Sequence, residues 1–152
     1  MIGLAGPYDF LPLLDPDLRE IFGPPEDFEK SQPVFYVDGQ NPPLLLLHGE
    51  DDENIRVKNT RNLASAVARA GGPVETVIYP KMSHQWIIAT MSARLRSQSD
   101  VLDNVSEFIR RVVAGKPAGA ILGGVQGSAL PREADLPPPV PQALPEPVPL
   151  PF

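Results

Sequence analysis

Four consecutive leucines, Leu44 to Leu47, follow Pro42-Pro43 and run straight into His48-Gly49 and a cluster of acids, Glu50-Asp51-Asp52-Glu53. A short, wholly apolar run bounded by turn residues reads as a strand buried on both faces, as in a parallel sheet. Leucine would also suit a buried helix, but the flanking prolines and Gly49 leave no room for one. The loop after such a strand opens at the carboxyl edge of the sheet, where open α/β folds place their chemistry. The acids there are therefore a candidate site as well as a polar loop.

A second stretch has the same form. Val74-Glu75-Thr76-Val77-Ile78-Tyr79 is rich in β-branched residues and leads into Pro80-Lys81-Met82-Ser83-His84, which carries one of the two histidines of the chain. Between the strands, Asn59 to Ala70 places Leu63, Val67 and Ala70 on one helical face. Strand, helix and strand with a crossover of this length form a βαβ unit, which is right-handed almost without exception. Both loops then open on one edge, and an acid and a histidine far apart in sequence become neighbours.

The remaining elements are shorter or less regular. Ile2 to Ala5 reads as a third strand, stopped by Gly6-Pro7. Because it starts almost at Met1, it points to an amino-terminal truncation. Asp15-Pro16-Asp17 opens a short helix, with Asp15 as cap and Leu14, Leu18, Ile21 and Phe22 as its expected buried face. Phe28, Val34, Phe35 and Tyr36 follow in an irregular segment; packing against the body or lining a pocket are the alternatives for them. Gln85 to Arg96 reads as a short helix just past His84. Ser99 to Val113 carries Val101, Leu102, Val105, Phe108, Ile109, Val112 and Val113 at the α period, with Ser99 as a cap and Gly115 and Pro117 as a stop.

Composition excludes several classes. The formal net charge is −6 and there is no basic patch, which argues against nucleic acid or an anionic membrane as partner. The chain has no cysteine, hence no disulfide framework, thiol nucleophile or thiolate metal site. His48, Asp51, Asp52 and His84 offer nitrogen and oxygen ligands, but no H-x-H or H-E-x-x-H spacing supports a metal, and no cofactor is expected. The start lacks the features of a signal peptide, and no run is long enough to be a transmembrane helix. The compartment is not fixed by this, cytoplasmic being the default.

His48-Gly49-x-x-Asp52-x-x-Ile55, a helix, a strand ending in Tyr79-Pro80 and a loop with His84 together resemble the last third of an α/β-hydrolase. The branch is the esterases related to feruloyl esterases and to prolyl-oligopeptidase-like hydrolases. Gly3-Leu4-Ala5-Gly6-Pro7-Tyr8-Asp9-Phe10 resembles the strand and loop before the lid of that branch, and residues 9–41 its lid. The resemblance implies an α/β fold of about three parallel strands with flanking helices over residues 1–114. It also implies a carboxylic ester hydrolase in which Asp52 and His84 are the acid and the histidine of a Ser-Asp-His triad. Taken singly, Asp52 reads as a solvated turn acid and His84 as a surface histidine; the shared sheet edge favours the pair. His48 reads as a structural residue bonding backbone in the turn.

No Gly-x-Ser-x-Gly elbow and no HGGG-type loop occurs in these residues. The expectation is thus a partial esterase, acting on a small-molecule ester if its nucleophile is supplied from elsewhere. The alternative is a non-catalytic remnant or binding module with a proline-rich interaction tail. Residues 115–152 are rich in glycine and then proline, and read as solvated, disordered chain. Amide exchange checks this: fast exchange is expected across Ala118–Leu130, and protection there would reveal an ordered element.

Overall fold

A computed structural model of the chain describes residues 1–115. The expectations for the proline-rich tail beyond Gly115 lie outside those residues. Three strands, β1 (Ile2–Leu4), β2 (Leu44–Gly49) and β3 (Val74–Tyr79), form one sheet in the order β1-β2-β3. Both pairings are parallel. Ile2 stands beside Leu45, Leu44 beside Val74 and Gly49 beside Tyr79. The helices are α1 (Pro16–Ile21), α2 (Lys58–Arg69), α3 (His84–Ala89) and α4 (Val101–Val113). Three parallel strands with flanking helices form part of an α/β-hydrolase fold, as the resemblance implied.

The leucine run explains the layering. All six residues of β2 are buried. Side chains alternate along a strand, so Leu45 and Leu47 face one way and Leu44 and Leu46 the other. The first pair joins Ala5, Tyr79, Met82, Ile87, Val101, Val105 and Phe108, which brings α3 and α4 onto that face. The second pair joins Leu63, Ala64 and Val67 of α2. Each fully buried leucine contributes about 1.5–3 kcal/mol relative to an exposed one. A strand with leucine on both sides therefore needs a helical layer on each.

The segment between β1 and β2 is held by polar clamps. Gln32 is fully buried; its Oε1 accepts the Phe10 N–H at 2.7 Å and its Nε2 donates to Ser31 Oγ at 2.7 Å. The Val34 N–H donates to the Tyr8 carbonyl at 3.1 Å. Asp15 caps α1 as expected, accepting from the N–H groups of Asp17 and Leu18. The expected apolar face of α1 is corrected: no residue of this helix is buried, and Ile21 is 74% exposed. Leu13 and Phe28 on either side are buried instead. Apolar spacing shows only that residues share a side, and a six-residue helix ending at Gly23-Pro24 leaves before that side is covered. Phe35 and Tyr36 are also exposed, so among the aromatics singled out in this segment only Phe28 packs into the body.

In α4 the apolar stripe is real but its centre is shifted. Val101, Val105 and Phe108 are buried, whereas Ile109 is exposed and Val113 is 81% exposed. The buried fourth member is Asn104, whose Nδ2 donates to the Tyr79 hydroxyl at 2.7 Å. Ser99 Oγ accepts the Val101 N–H at 3.1 Å, so the expected cap bonds the first helical residue. Burial pushes the Tyr79 hydroxyl up from 10.0 to about 12, with the Asn104 bond acting the other way. The folded state thus keeps this proton after the unfolded chain has released it. The contribution is fully present below pH 10.0 and is lost as pH rises through about 12. Urea unfolding of wild type and Tyr79→Phe across this window checks the sign: the wild type should lose more stability than the variant.

Candidate active site

Two loops meet because a glycine lets them. Gly49 ends β2, and a Cβ at this position would overlap the Met82 carbonyl oxygen. With hydrogen there instead, the Asp51 N–H reaches that carbonyl at 3.2 Å and the Glu50 N–H reaches the Tyr79 carbonyl at 2.9 Å. These two bonds extend the β2–β3 ladder beyond the strands and fix one loop against the other. Lys81 takes a positive φ of 55° to bring the chain round before His84, a strained value for a residue with a side chain. Ser83 then caps α3 by accepting the Trp86 N–H at 3.3 Å, which places His84 at the first helical position.

Asp52 and His84 are brought together, with His84 Nδ1 2.8 Å from Asp52 Oδ2. The Asp52 side chain is fully buried, whereas that of His84 is 22% exposed. Asp52 Oδ1 accepts the N–H groups of Asn54 at 3.0 Å and Ile55 at 2.8 Å. A carboxylate facing Nδ1 requires a proton there, so the neutral ring carries its lone pair on Nε2. That nitrogen has no hydrogen-bond partner among the described residues. In this arrangement a buried carboxylate sets the tautomer and orientation of the imidazole.

The neighbouring acids differ. Asp51 and Glu50 are exposed, and Glu50 lies 3.6 Å from Arg61 across the surface. An open depression of about 470 Å³ is lined by Glu50, Asp51, Asp52, Glu53, Arg56 and Val57. Its wall is mostly acidic, and His84 is not among the residues that line it. Among the described residues no group of three His, Asp or Glu side chains is arranged to hold a metal ion.

His48 is buried and bonds backbone in the turn, as its position implied: Nε2 lies 2.6 Å from the Ile55 carbonyl oxygen. Two further contacts were not legible. His48 Nδ1 is 2.7 Å from Thr60 Oγ1 on α2, and Nε2 is 3.2 Å from Asp52 Oδ2. Asn59, also buried, accepts the N–H groups of Tyr8 and Asp9 at 3.0 and 2.7 Å and so ties the loop after β1 to α2. Only the four-residue step from His48 to Asp52 hinted at any of this.

Gly49→Ala should force the Met82 carbonyl aside. A cost of about 1–3 kcal/mol is expected, on the scale of overpacking, read as a lower urea midpoint. A chemical-shift change centred on His84 should accompany it.

Comparisons with known proteins agree with the fold. The prolyl oligopeptidase family matches residues 16–116, well over half of the chain. Esterase LipQ of Mycobacterium tuberculosis (strain ATCC 25618 / H37Rv) is 31% identical over 104 residues, covering 68% of this chain and 24% of LipQ. The uncharacterized peptidase YtmA of Bacillus subtilis (strain 168) is 32% identical over 60 residues, covering 40% of this chain and 23% of YtmA. An acetyl ester-xyloside bifunctional hydrolase from Caldicellulosiruptor lactoaceticus shares the fold, with a TM-score of 0.51 at 21% identity over 59% of this chain and 32% of that one. The chain therefore spans about a quarter of the length of the relatives it matches in sequence. With this sheet, these loops and that match, the chain belongs to the prolyl oligopeptidase family of α/β-hydrolases.

Proposed function

We propose that this chain is the acid–base portion of a serine carboxylester hydrolase, with Asp52 as the acid and His84 as the general base. The observation that carries the reading is the 2.8 Å contact between Asp52 Oδ2 and His84 Nδ1 at the carboxyl edge of the sheet. The similarity to Esterase LipQ favours an ester over a peptide as substrate. A hydroxyl is a weak nucleophile at neutral pH because it holds its proton tightly. His84 Nε2 takes that proton as the serine oxygen attacks the ester carbonyl, then gives it to the departing alkoxide. The buried Asp52 carboxylate stabilises the imidazolium formed in between. Water repeats the cycle on the acyl-enzyme and releases the acid.

The serine and the oxyanion donors are assigned to polypeptide outside these 152 residues, since no Gly-x-Ser-x-Gly occurs within them. The chain by itself should show no turnover of a p-nitrophenyl ester above background. Joined to an amino-terminal portion of the fold that carries the serine elbow, it should become active. In that enzyme Asp52→Asn should lower kcat by up to about 10⁴-fold, as in the protease triad that serves as the general example. His84→Ala should be comparably severe and Asp51→Asn mild. An active enzyme indifferent to His84→Ala would overturn the assignment, and one sensitive to Asp51→Asn alone would move the acid by one residue.

A further inference from the structure

His48 has two ring nitrogens in different chemical settings. Around Nε2 stand the Ile55 carbonyl oxygen at 2.6 Å and the Asp52 carboxylate at 3.2 Å. Both are acceptors only, so Nε2 carries a proton. In the neutral ring Nδ1 is then an acceptor, and the group 2.7 Å from it is the Thr60 hydroxyl, which donates. His48 and Thr60 are both fully buried. The Ile55 peptide closes the circuit, because its N–H donates to Asp52 Oδ1 and its carbonyl faces His48 Nε2. His48 thus reaches the same carboxylate oxygen that accepts from His84, approaching from the α2 side.

The carboxylate is fully buried, and among the described residues the ion pairs it makes are with the two histidines, not with a lysine or arginine. Burying an unpaired carboxylate costs several kcal/mol unless donors replace water. Two backbone N–H groups serve Oδ1. Among the described residues Oδ2 takes one hydrogen bond, from the His84 N–H; His48 Nε2, whose N–H is directed at the Ile55 carbonyl, lies 3.2 Å away. Without His48 the α2 side of Oδ2 would lose the polar ring edge that stands 3.2 Å from it.

We propose that His48, locked as the Nε2–H tautomer by the Thr60 hydroxyl, is a positioning residue that holds Asp52 Oδ2 on His84 Nδ1. Thr60 thereby links helix α2 to the catalytic base. The proposal rests on the acid–base assignment of Asp52 and His84, and the experiment separates the two.

The chain has two histidines in all, so nitrogen-15 spectra of the ring nitrogens of the full chain can be assigned without ambiguity. In the wild type the two rings should be opposite tautomers, His48 with its proton on Nε2 and His84 with its proton on Nδ1. Thr60→Val, which keeps the shape and removes the donor, should move the His84 Nδ1 proton upfield. Its exchange with solvent should rise about tenfold, the scale of one hydrogen bond. Thr60→Ser should restore both signals. The pair His48→Gln, which keeps an N–H near the Nε2 position, and His48→Met, which does not, repeats the comparison independently of how Thr60→Val folds. His84 signals unchanged in Thr60→Val, or equally changed in His48→Gln and His48→Met, would overturn the positioning role and leave the pair standing. A wild-type His84 protonated on Nε2 would overturn the acid–base assignment itself and this proposal with it.

Discussion

The architecture depends on one strand with leucine on both faces. β2 is wholly buried, which requires a layer on each side of the sheet and a neighbour at each of its edges. α2 meets one layer's requirement, and α3 with α4 meets the other. β1 and β3 supply the neighbours, both parallel to β2. Parallel neighbours deliver their following loops to one edge. The site is therefore a consequence of how the leucines are buried, before any catalytic residue is considered.

The second constraint is the charge of Asp52. A buried carboxylate without a cationic side chain beside it is costly, and the protein offsets the cost with oriented donors. Two come from its own turn and one from the loop after β3, while the ring of His48 at the end of β2 stands 3.2 Å away. The acid is thus held by pieces of three elements, and their agreement fixes the ring of His84. Gly49 and the Met82 carbonyl set the spacing that lets them agree. Asp52 is buried and His84 is partly exposed, which is the polarity that the proposed proton-transfer pair needs.

The segment between β1 and β2 obeys a different logic. It is fastened by a few buried polar groups, Gln32 and Asn59 above all, and by two apolar anchors, Leu13 and Phe28. Ile21, Phe35 and Tyr36 stay on the surface. Polar clamps of this kind bond backbone atoms, so they fix the path of the chain without requiring a periodic sequence. That is why the least regular stretch still has a defined course.

The sequence by itself determined the strands, their parallel sense, the helices that cover them and the meeting of Asp52 with His84. The strands and helices followed from strong local signals, an unbroken apolar run, a β-branched run and an α-period stripe, and the pair followed from the sheet edge that its two loops share. The sequence also placed His48 in the turn as a backbone-bonding residue. It did not determine what depends on meetings between distant residues. The apolar stripe of α1 found nothing to cover it, and the stripe of α4 was rotated to bury Asn104 against Tyr79. Thr60 reads in sequence as an ordinary polar residue of a helix, and only the packing of α2 on β2 sets its hydroxyl against His48. Period and composition report which side a residue lies on. Hydrogen bonds between elements are decided by distances of a few tenths of an ångström, which only the assembled tertiary structure sets.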